Sequence, residues 1–177
     1  MKLRNMTSVY IFNDDKILFI KKKGSRMFST PDTVLWCGIG GHFENEELNN
    51  PESCVLRELF EETSLTKSDI KNLTLKYITL RKKGEEIRQQ YIYFADLANS
   101  DIVLCECDEG ELHWIKIDDL TKLDMSFTNA QCLNHYFQIT QSGKKDGFIY
   151  VCAVEVNNSD NMPHVVFTPL QDFYTAY

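Results

Sequence analysis

The most informative segment of the sequence spans residues 38 to 65; it begins Gly38-Ile39-Gly40-Gly41-His42-Phe43-Glu44 and ends Arg57-Glu58-Leu59-Phe60-Glu61-Glu62-Thr63-Ser64-Leu65. The glycines predict a turn, and the residues that follow predict a helix. On that helix Glu58 lies three and four positions before Glu61 and Glu62, so the three carboxylates project from one side. Like charges placed in this way repel each other, whereas hard divalent cations that take oxygen ligands would turn the repulsion into binding.

The ends of this helix and its apolar face also follow from the sequence. Asn50 is a good N-cap and Pro51 suits the first helical position, so the helix should begin near residue 51. An apolar stripe at helical spacing should pack against a sheet and leave the glutamates toward the rim: Val55, Leu56, Leu59 and Phe60. Arg57 and Glu61 are four residues apart and could form an ion pair.

The segment resembles the Nudix box, in which Gly is followed after five residues by Glu and after seven more by Arg-Glu-aliphatic-any-Glu-Glu-any-Gly-aliphatic. Gly41 and Glu47 have the expected separation, and both aliphatic positions are filled. The chain departs from the pattern twice. Nine residues separate Glu47 from Arg57, which we interpret as a longer loop before the helix, and Ser64 replaces the final Gly. In the family that Gly ends the helix in a left-handed conformation, which costs other residues roughly 1–2 kcal/mol.

The resemblance implies a magnesium-dependent hydrolase of phosphoanhydride bonds, with Mn²⁺ as a substitute. Carried over residue by residue, the box gives as metal ligands the Gly40 carbonyl and the carboxylates of Glu58, Glu61 and Glu62. Glu58 and Glu61 are also candidate catalytic residues, because the glutamates of the box bind the metal or act as its base in the family, and Arg57 would orient a glutamate. Glu47 matches the first Glu of the box, whose role is expected to be structural.

A further acid could complete the site. Asp108 and Glu109 precede a strand that carries Trp114, and MutT-like hydrolases of oxidised nucleotides have a similar Asp-Glu pair before a Trp strand. In those enzymes the Glu approaches the metal, so the resemblance makes Glu109 a candidate metal ligand and catalytic residue. The alternative is a plain acidic turn.

Three residues are candidates for substrate binding. Lys23 ends a basic run that either contacts phosphates or forms a solvated strand end. Cys37 stands just before Gly38, where MutT-like relatives often place a residue that reads oxidised guanine, although a thiol is a weak hydrogen-bonding group. Asn129 opens a predicted helix, where its amide could read a purine edge or cap the helix.

Length and charge limit the classes of protein to which this chain could belong. The 177 residues suit a single domain over 1–177, and the net charge of −7 disfavours duplex nucleic acid without excluding a nucleotide. Six cysteines without a CxxC pair predict reduced thiols. Neither an apolar run near 18 residues nor a signal-peptide core is present, so we expect a cytoplasmic protein without a membrane segment.

The remaining sequence predicts an α/β (α+β) fold in which a mixed sheet lies between helices. Two β-hairpins are expected, over residues 7–21 and 73–97, with a further strand at 112–117 and a second long helix at 128–139. This agrees with the α/β/α Nudix sandwich that the resemblance implies for about residues 5–140. The segment 141–177 reads as an appended hairpin, which could extend the sheet or form a contact in a homodimer.

The leading functional hypothesis is hydrolysis of a nucleoside di- or triphosphate, with 8-oxo-dGTP as a candidate substrate, as the likeness to MutT-like enzymes implies. A second hypothesis is an ADP-ribose or dinucleotide pyrophosphatase. A third is a Nudix fold that senses a ligand without turnover, which is disfavoured because all three box acids are present.

Overall fold

The computed structural model describes residues 1–23, 34–102, 104, 107–141, 147–157, 159 and 161–172. Within these ranges the chain forms eight strands, two α-helices and three short 3₁₀ helices. The strands are β1 Lys2–Asn13, β2 Lys16–Lys23, β3 Val34–Cys37, β4 Ile70–Lys83, β5 Glu86–Leu97, β6 Glu111–Lys116, β7 Tyr150–Val156 and β8 Pro163–Pro169. The helices are α1 Pro51–Thr63 and α2 Phe127–Gln141, and the 3₁₀ helices are Asn45–Glu47, Lys67–Asp69 and Ile117–Lys122.

The strands form one mixed sheet in the order β3-β2-β1-β5-β4-β7-β8, with β6 paired to β2. β1 and β5 are parallel, as are β4 and β7, and the other pairs are antiparallel. The mixed α+β fold and both hairpins predicted from the sequence are therefore confirmed, with longer strands than expected. The hairpin of β7 and β8 extends the sheet beside β4, which was one of the two alternatives left open for this segment.

The sheet has a hydrophobic cluster on each face, because its central strands are buried on both sides. In β1, Val9 and Ile11 point toward α1, and Tyr10 between them points toward α2. All three side chains are fully buried. The α1 cluster includes Val55 and Leu59. Cys132 and Leu133 of α2 belong to the cluster on the opposite face.

The ends of α1 agree with the sequence, but one part of its apolar stripe does not. The Asn50 side chain accepts a hydrogen bond from the Ser53 amide (3.1 Å), and Ser64 ends the helix with φ +61°. Phe60 is 56% exposed, so its predicted burial is wrong. The buried stripe follows positions 55, 58, 59 and 62, and it therefore takes Glu58 and Glu62 into the interior instead of leaving them at the rim.

Candidate active site

The glycine turn runs along the edge of β1 and lets a helix approach the sheet closely. Backbone hydrogen bonds join Val9 to Ile39 and Thr7 to Gly41. Gly40 has φ +148°, and a Cβ at this position would lie 2.4 Å from the Thr7 carbonyl oxygen. A Cβ on Gly41 would lie 2.4 Å from the Glu58 carboxylate. Both glycines are therefore required for the backbone and the Glu58 side chain to meet.

Glu62 is the most buried carboxylate of the site, at 2% exposure. One oxygen accepts a hydrogen bond from the Gly40 amide (2.8 Å), and the other accepts one from Lys22 Nζ (2.9 Å). Burial raises the pKa of Glu62 to about 7, although the positive charge of Lys22 and the Gly40 amide oppose this rise. Lys22 and the Gly40 amide thus offset only part of the cost of ionising the buried Glu62 carboxyl.

Lys22 also connects Glu62 to the acidic turn that precedes β6. Its Nζ donates a hydrogen bond to Glu109 Oε2 over 2.6 Å, and this bond lowers the pKa of Glu109. The turn is tight, since Cys107 and Gly110 pair as an isolated bridge. The structure therefore brings the predicted second acid, Glu109, to the carboxylates of α1, with the lysine between them.

Arg57 forms hydrogen bonds with three further carboxylates, those of Glu47, Glu58 and Glu61. Its Nε and Nη2 form a two-pronged contact with Glu47 (2.8 and 3.0 Å), which lowers the pKa of Glu47 to about 2. Its Nη1 donates to Glu58 Oε1 (2.9 Å) and to Glu61 Oε2 (2.7 Å), so the predicted Arg57–Glu61 pair is present. Nη2 also donates to the His42 carbonyl oxygen (3.0 Å). Glu47 thus anchors the arginine that positions two other glutamates.

The three box glutamates differ in their surroundings. Glu58 is 8% exposed, and burial raises its pKa. The Glu61 side chain is 54% exposed. Among the described residues, no group of three or more His, Cys, Asp or Glu side chains is arranged as a preformed metal cage. Lys22 and Arg57 instead contact the oxygen atoms that a cation would use.

The donor set nevertheless fits a hard divalent cation. Glu58, Glu61, Glu62 and Glu109 offer carboxylate oxygens only, which suit Mg²⁺ or Mn²⁺ better than softer metals. Two of these carboxylates are buried, and buried anions require positive charge nearby. A cation here would supply charge that two basic side chains now provide.

The structure describes the side chains of two of the three predicted substrate residues. The Lys23 side chain lies outside the described part of the structure. Cys37 packs in the cluster on the α1 side, where burial raises the pKa of its thiol. Asn129 lies on the opposite face near Tyr10 and is 7% exposed. Cys37 and Asn129 are therefore not brought together on one face of the sheet.

The capping interpretation of Asn129 is wrong. The Asn129 amide donates to the Ser126 hydroxyl (3.4 Å), so Ser126 caps α2 and the Asn129 side chain is free of that role. Asn129 Oδ1 and the Tyr10 hydroxyl are both buried, and the contacts of that hydroxyl with the Asn129 side chain and the Gly38 backbone fall short of hydrogen-bond geometry. A pair of buried polar atoms without well-formed hydrogen bonds is unusual in a folded protein.

Lys22 was missed as an individual residue when the basic run was interpreted. Strand alternation could have identified it, because Ile20 faces α1 and Lys22, two residues later, must face the same side. Lys21 points elsewhere, with its Nζ 5.9 Å from the centre of the Trp36 ring. The lysine of the run that reaches the carboxylates is therefore the middle one.

A cavity of about 470 Å³ lies apart from these carboxylates, between the sheet and the end of α2. Its lining includes none of the box residues and is formed by Phe12, Asn72, Thr74, Lys76, Phe94, Ala95, Asp96, Tyr136, Ile139 and Thr140. The cavity therefore takes no part in the chemistry described here. In the described part of the chain, neither helix is long and apolar enough to cross a membrane.

Comparisons with known proteins agree with this geometry. The NUDIX domain model matches residues 2–136. The uncharacterized Nudix hydrolase YvcI of Bacillus subtilis (strain 168) is 29% identical over 128 residues, which cover 70% of this chain and 73% of that protein. The Mutator MutT protein from Bacillus halodurans has a similar fold, with a TM-score of 0.62, 19% identity and coverage of 93% of this chain and 97% of that one. A C. elegans Ap4A hydrolase matches with a TM-score of 0.58, 15% identity and coverage of 81% and 100%. At these identities the two structures establish a shared fold only.

Proposed function

Because this chain belongs to the NUDIX domain family and is a Nudix hydrolase of a nucleoside diphosphate derivative, we propose that it cleaves nucleoside triphosphates into a nucleoside monophosphate and pyrophosphate. We further propose that the reaction depends on Mg²⁺, with Mn²⁺ as a substitute. Oxidised triphosphates such as 8-oxo-dGTP are the first substrates to test.

The observation that carries this proposal is the pair of buried carboxylates, Glu58 and Glu62, next to the Gly40 backbone. Together with Glu61, Glu109 and the Gly40 carbonyl, they form the proposed metal site. Magnesium bound there would neutralise phosphate charge and lower the pKa of a bound water. Without such a cation, the groups of the described residues that offset the burial of these acids are Lys22, Arg57 and the Gly40 amide.

The remaining residues have roles that follow from their contacts. Arg57 holds Glu58 and Glu61 in fixed positions while it is itself anchored on Glu47. Glu109 lies 2.6 Å from Lys22 Nζ on the open side of the site, where a carboxylate could take a proton from an attacking water. Lys22 is placed to contact phosphate oxygens, which is the role predicted for Lys23.

The buried amide of Asn129 is the proposed reader of the base. An amide can donate and accept hydrogen bonds at the same time, as recognition of a purine edge requires. Its oxygen and the Tyr10 hydroxyl lack well-formed hydrogen bonds among the described residues, so a ligand could satisfy both. Replacing such a contact costs about 1–3 kcal/mol when it leaves a buried polar group unpaired.

The principal experiment is a substrate panel assayed with Mg²⁺ and resolved by chromatography of the products. We expect nucleoside monophosphate and pyrophosphate from one or more nucleoside triphosphates, with 8-oxo-dGTP and dGTP compared directly. Excess chelator should abolish turnover. Full activity in chelator, or the absence of turnover with every triphosphate, would contradict the proposal.

Asn129→Ala tests the base reader on the same panel. We expect the preference between purine triphosphates to be lost, with little change for a pyrimidine triphosphate. Asn134→Ala, an exposed substitution on the same helix, is the matched control. An equal loss of activity on all substrates would remove Asn129 from the proposed site.

The second candidate function is hydrolysis of ADP-ribose or a dinucleotide polyphosphate. The fold likeness to a C. elegans Ap4A hydrolase is the observation that keeps it in the panel. Turnover of ADP-ribose or of a dinucleotide, with none of the mononucleotides, would favour this alternative.

A further inference from the structure

Three arginines form a row across neighbouring strands on the α2 face of the sheet. Arg88 of β5 is the direct partner of Arg4 in β1 and of Arg81 in β4. Residues in direct register project from the same face, so the three guanidinium groups stand side by side. We call these three residues the arginine row.

The arginine row carries more positive charge than its surroundings neutralise. Arg4 and Arg88 both pair with Glu86, and the Arg4 Nε to Glu86 Oε2 distance is 3.1 Å. Arg81 is half-buried, and the charge of Glu86 acts on it, although no salt bridge to Arg81 is formed among the described residues. Burial lowers the pKa of Arg81, and the neighbouring Arg88 lowers it further. Like charges in direct register destabilise a sheet, so the row requires a further explanation.

The arginine row begins beside the end of the glycine turn, on the face of the sheet opposite α1 and its glutamates. His42 follows the glycine turn, and its Nε2 lies 3.4 Å from Arg4 Nη1. Since β1 rises about 3.3 Å per residue, Arg4 lies roughly 13 Å along the strand from Ser8, which contacts the Gly40 turn.

The same face carries the proposed base reader. Tyr10 lies beside Asn129. Arg4, Ser8 and Tyr10 are separated by even numbers of residues, so they lie on the same side of β1, with Arg4 nearest the beginning of the strand. The surface of the sheet between Tyr10 and Arg4 is polar, because Gln90 Nε2 donates a hydrogen bond to the Ser8 hydroxyl (3.1 Å). A nucleotide whose base lies at Asn129 and whose first phosphates lie at the glycine turn would direct its far end toward the arginine row.

From this geometry we propose that the arginine row binds the terminal phosphate of the substrate, the one farthest from the base. Arginine presents donors in a planar fork that matches phosphate oxygens. Such a phosphate would supply the negative charge that Glu86 alone does not provide, in a protein whose net charge is −7. The inference rests on the proposed function for the identity of the substrate, and it makes the chain selective for nucleotides that carry a terminal phosphate.

The test uses inorganic tripolyphosphate as the probe and the full-length chain in excess chelator, with binding measured by calorimetry at low salt. We expect Arg81→Gln to weaken binding by about tenfold or more, as loss of a charge-assisted contact does. Lys82→Gln is the matched control, because it removes the same charge from the next residue of β4, which is exposed on the other face. That control should bind within about twofold of the wild type.

Arg4→Gln provides a second variant at the more exposed end of the arginine row, where the side chain is 45% exposed and tolerates change. It should weaken tripolyphosphate binding in the same direction. In kinetics with Mg²⁺, Arg81→Gln should raise KM for a nucleoside triphosphate and leave KM for ADP-ribose, which has no terminal phosphate, unchanged where that compound is a substrate.

The outcomes separate this inference from the proposed function. Equal tripolyphosphate affinity in the wild type and Arg81→Gln, or no binding to the wild type, would overturn the inference even if triphosphates are hydrolysed. Selective loss of binding in Arg81→Gln, together with no turnover of any triphosphate, would support the anion site and overturn the proposed function alone.

Discussion

Glu61 is more exposed than Glu58 and Glu62, so substitution of Glu61 should reduce turnover without reducing stability. Glu61→Gln removes one carboxylate of the proposed metal site but deletes only a surface ion pair with Arg57, worth about 0–1 kcal/mol. We expect kcat to fall at least about 10²-fold while Tm stays near that of the wild type. Glu52→Gln, the same charge change at an exposed position of α1, should alter neither quantity much. Activity of Glu61→Gln within tenfold of the wild type would exclude Glu61 from the site.

Glu109 and its neighbour Asp108 lie in one turn, and only Glu109 contacts Lys22. If Glu109 assists the attacking water, Glu109→Gln should lower the maximal rate at least about 10²-fold. Asp108→Asn should leave the rate nearly unchanged, since Asp108 is exposed beside it. Steady-state kinetics of the two variants at saturating Mg²⁺ would decide the matter. Equal rates for both would leave Glu109 as a surface acid.

At the scale of the element, α1 ends in a left-handed residue that is not glycine, Ser64 with φ +61°. Ser64→Gly should relieve backbone strain of roughly 1–2 kcal/mol, partly offset by the greater freedom of glycine in the unfolded chain. The net gain is expected to be up to about 1 kcal/mol, or a rise in Tm of about 2–4 °C for a chain of this size.

Ser53→Gly makes the same chemical change within α1, at a position with ordinary helical geometry. Because glycine is a poor helix former, this control should lower Tm instead of raising it. Thermal unfolding of the two variants, with kcat unchanged for Ser64→Gly, tests the account. A lower Tm for Ser64→Gly would mean that the left-handed end of α1 is not a source of strain.

The elements also show what the sequence could and could not predict. The start and end of α1 were predicted correctly, because caps and left-handed ends depend on residues within one or two turns. The burial of Glu62 was not predicted, since it depends on Lys22 and Gly40, which lie on other elements. Periodicity alone assigned Phe60 to the buried side, yet it is 56% exposed.

Strand register produced the features that no local pattern could reveal. Arg4, Arg81 and Arg88 are scattered along the sequence and meet only because β1, β5 and β4 are neighbours in one register. The position of β8 beside β7, and of β7 beside β4, likewise depends on pairing between distant segments. Residue spacing can suggest the chemistry of the box, but the partners of each charge are set by the assembled sheet.

In the whole molecule, two glutamates of the site make the stability of the protein depend on pH, and their effects have opposite signs. The hydrogen bonds from Arg57 lower the pKa of Glu47 to about 2, below its usual value of 4.5. Its stabilising contribution is therefore present above pH 4.5 and lost as the pH falls toward 2. Burial raises the pKa of Glu62 to about 7. Its contribution is greatest below pH 4.5 and is lost as the pH rises through 7.

Thermal unfolding of the metal-free protein in chelator, from pH 2 to 9, should reveal both effects as differences between variants. For Glu62→Gln, the Tm of the variant minus that of the wild type should increase between about pH 4.5 and 7, because only the wild type must ionise a buried carboxyl. For Glu47→Gln, the corresponding difference should become more negative between about pH 2 and 4.5, where the wild type gains its contact with Arg57. Addition of Mg²⁺ should reduce the first difference, since a bound cation favours the ionised form of Glu62. A difference for Glu62→Gln that does not change with pH would show that Glu62 ionises without cost, and the burial of its carboxylate would then offer no reason to expect a cation beside it.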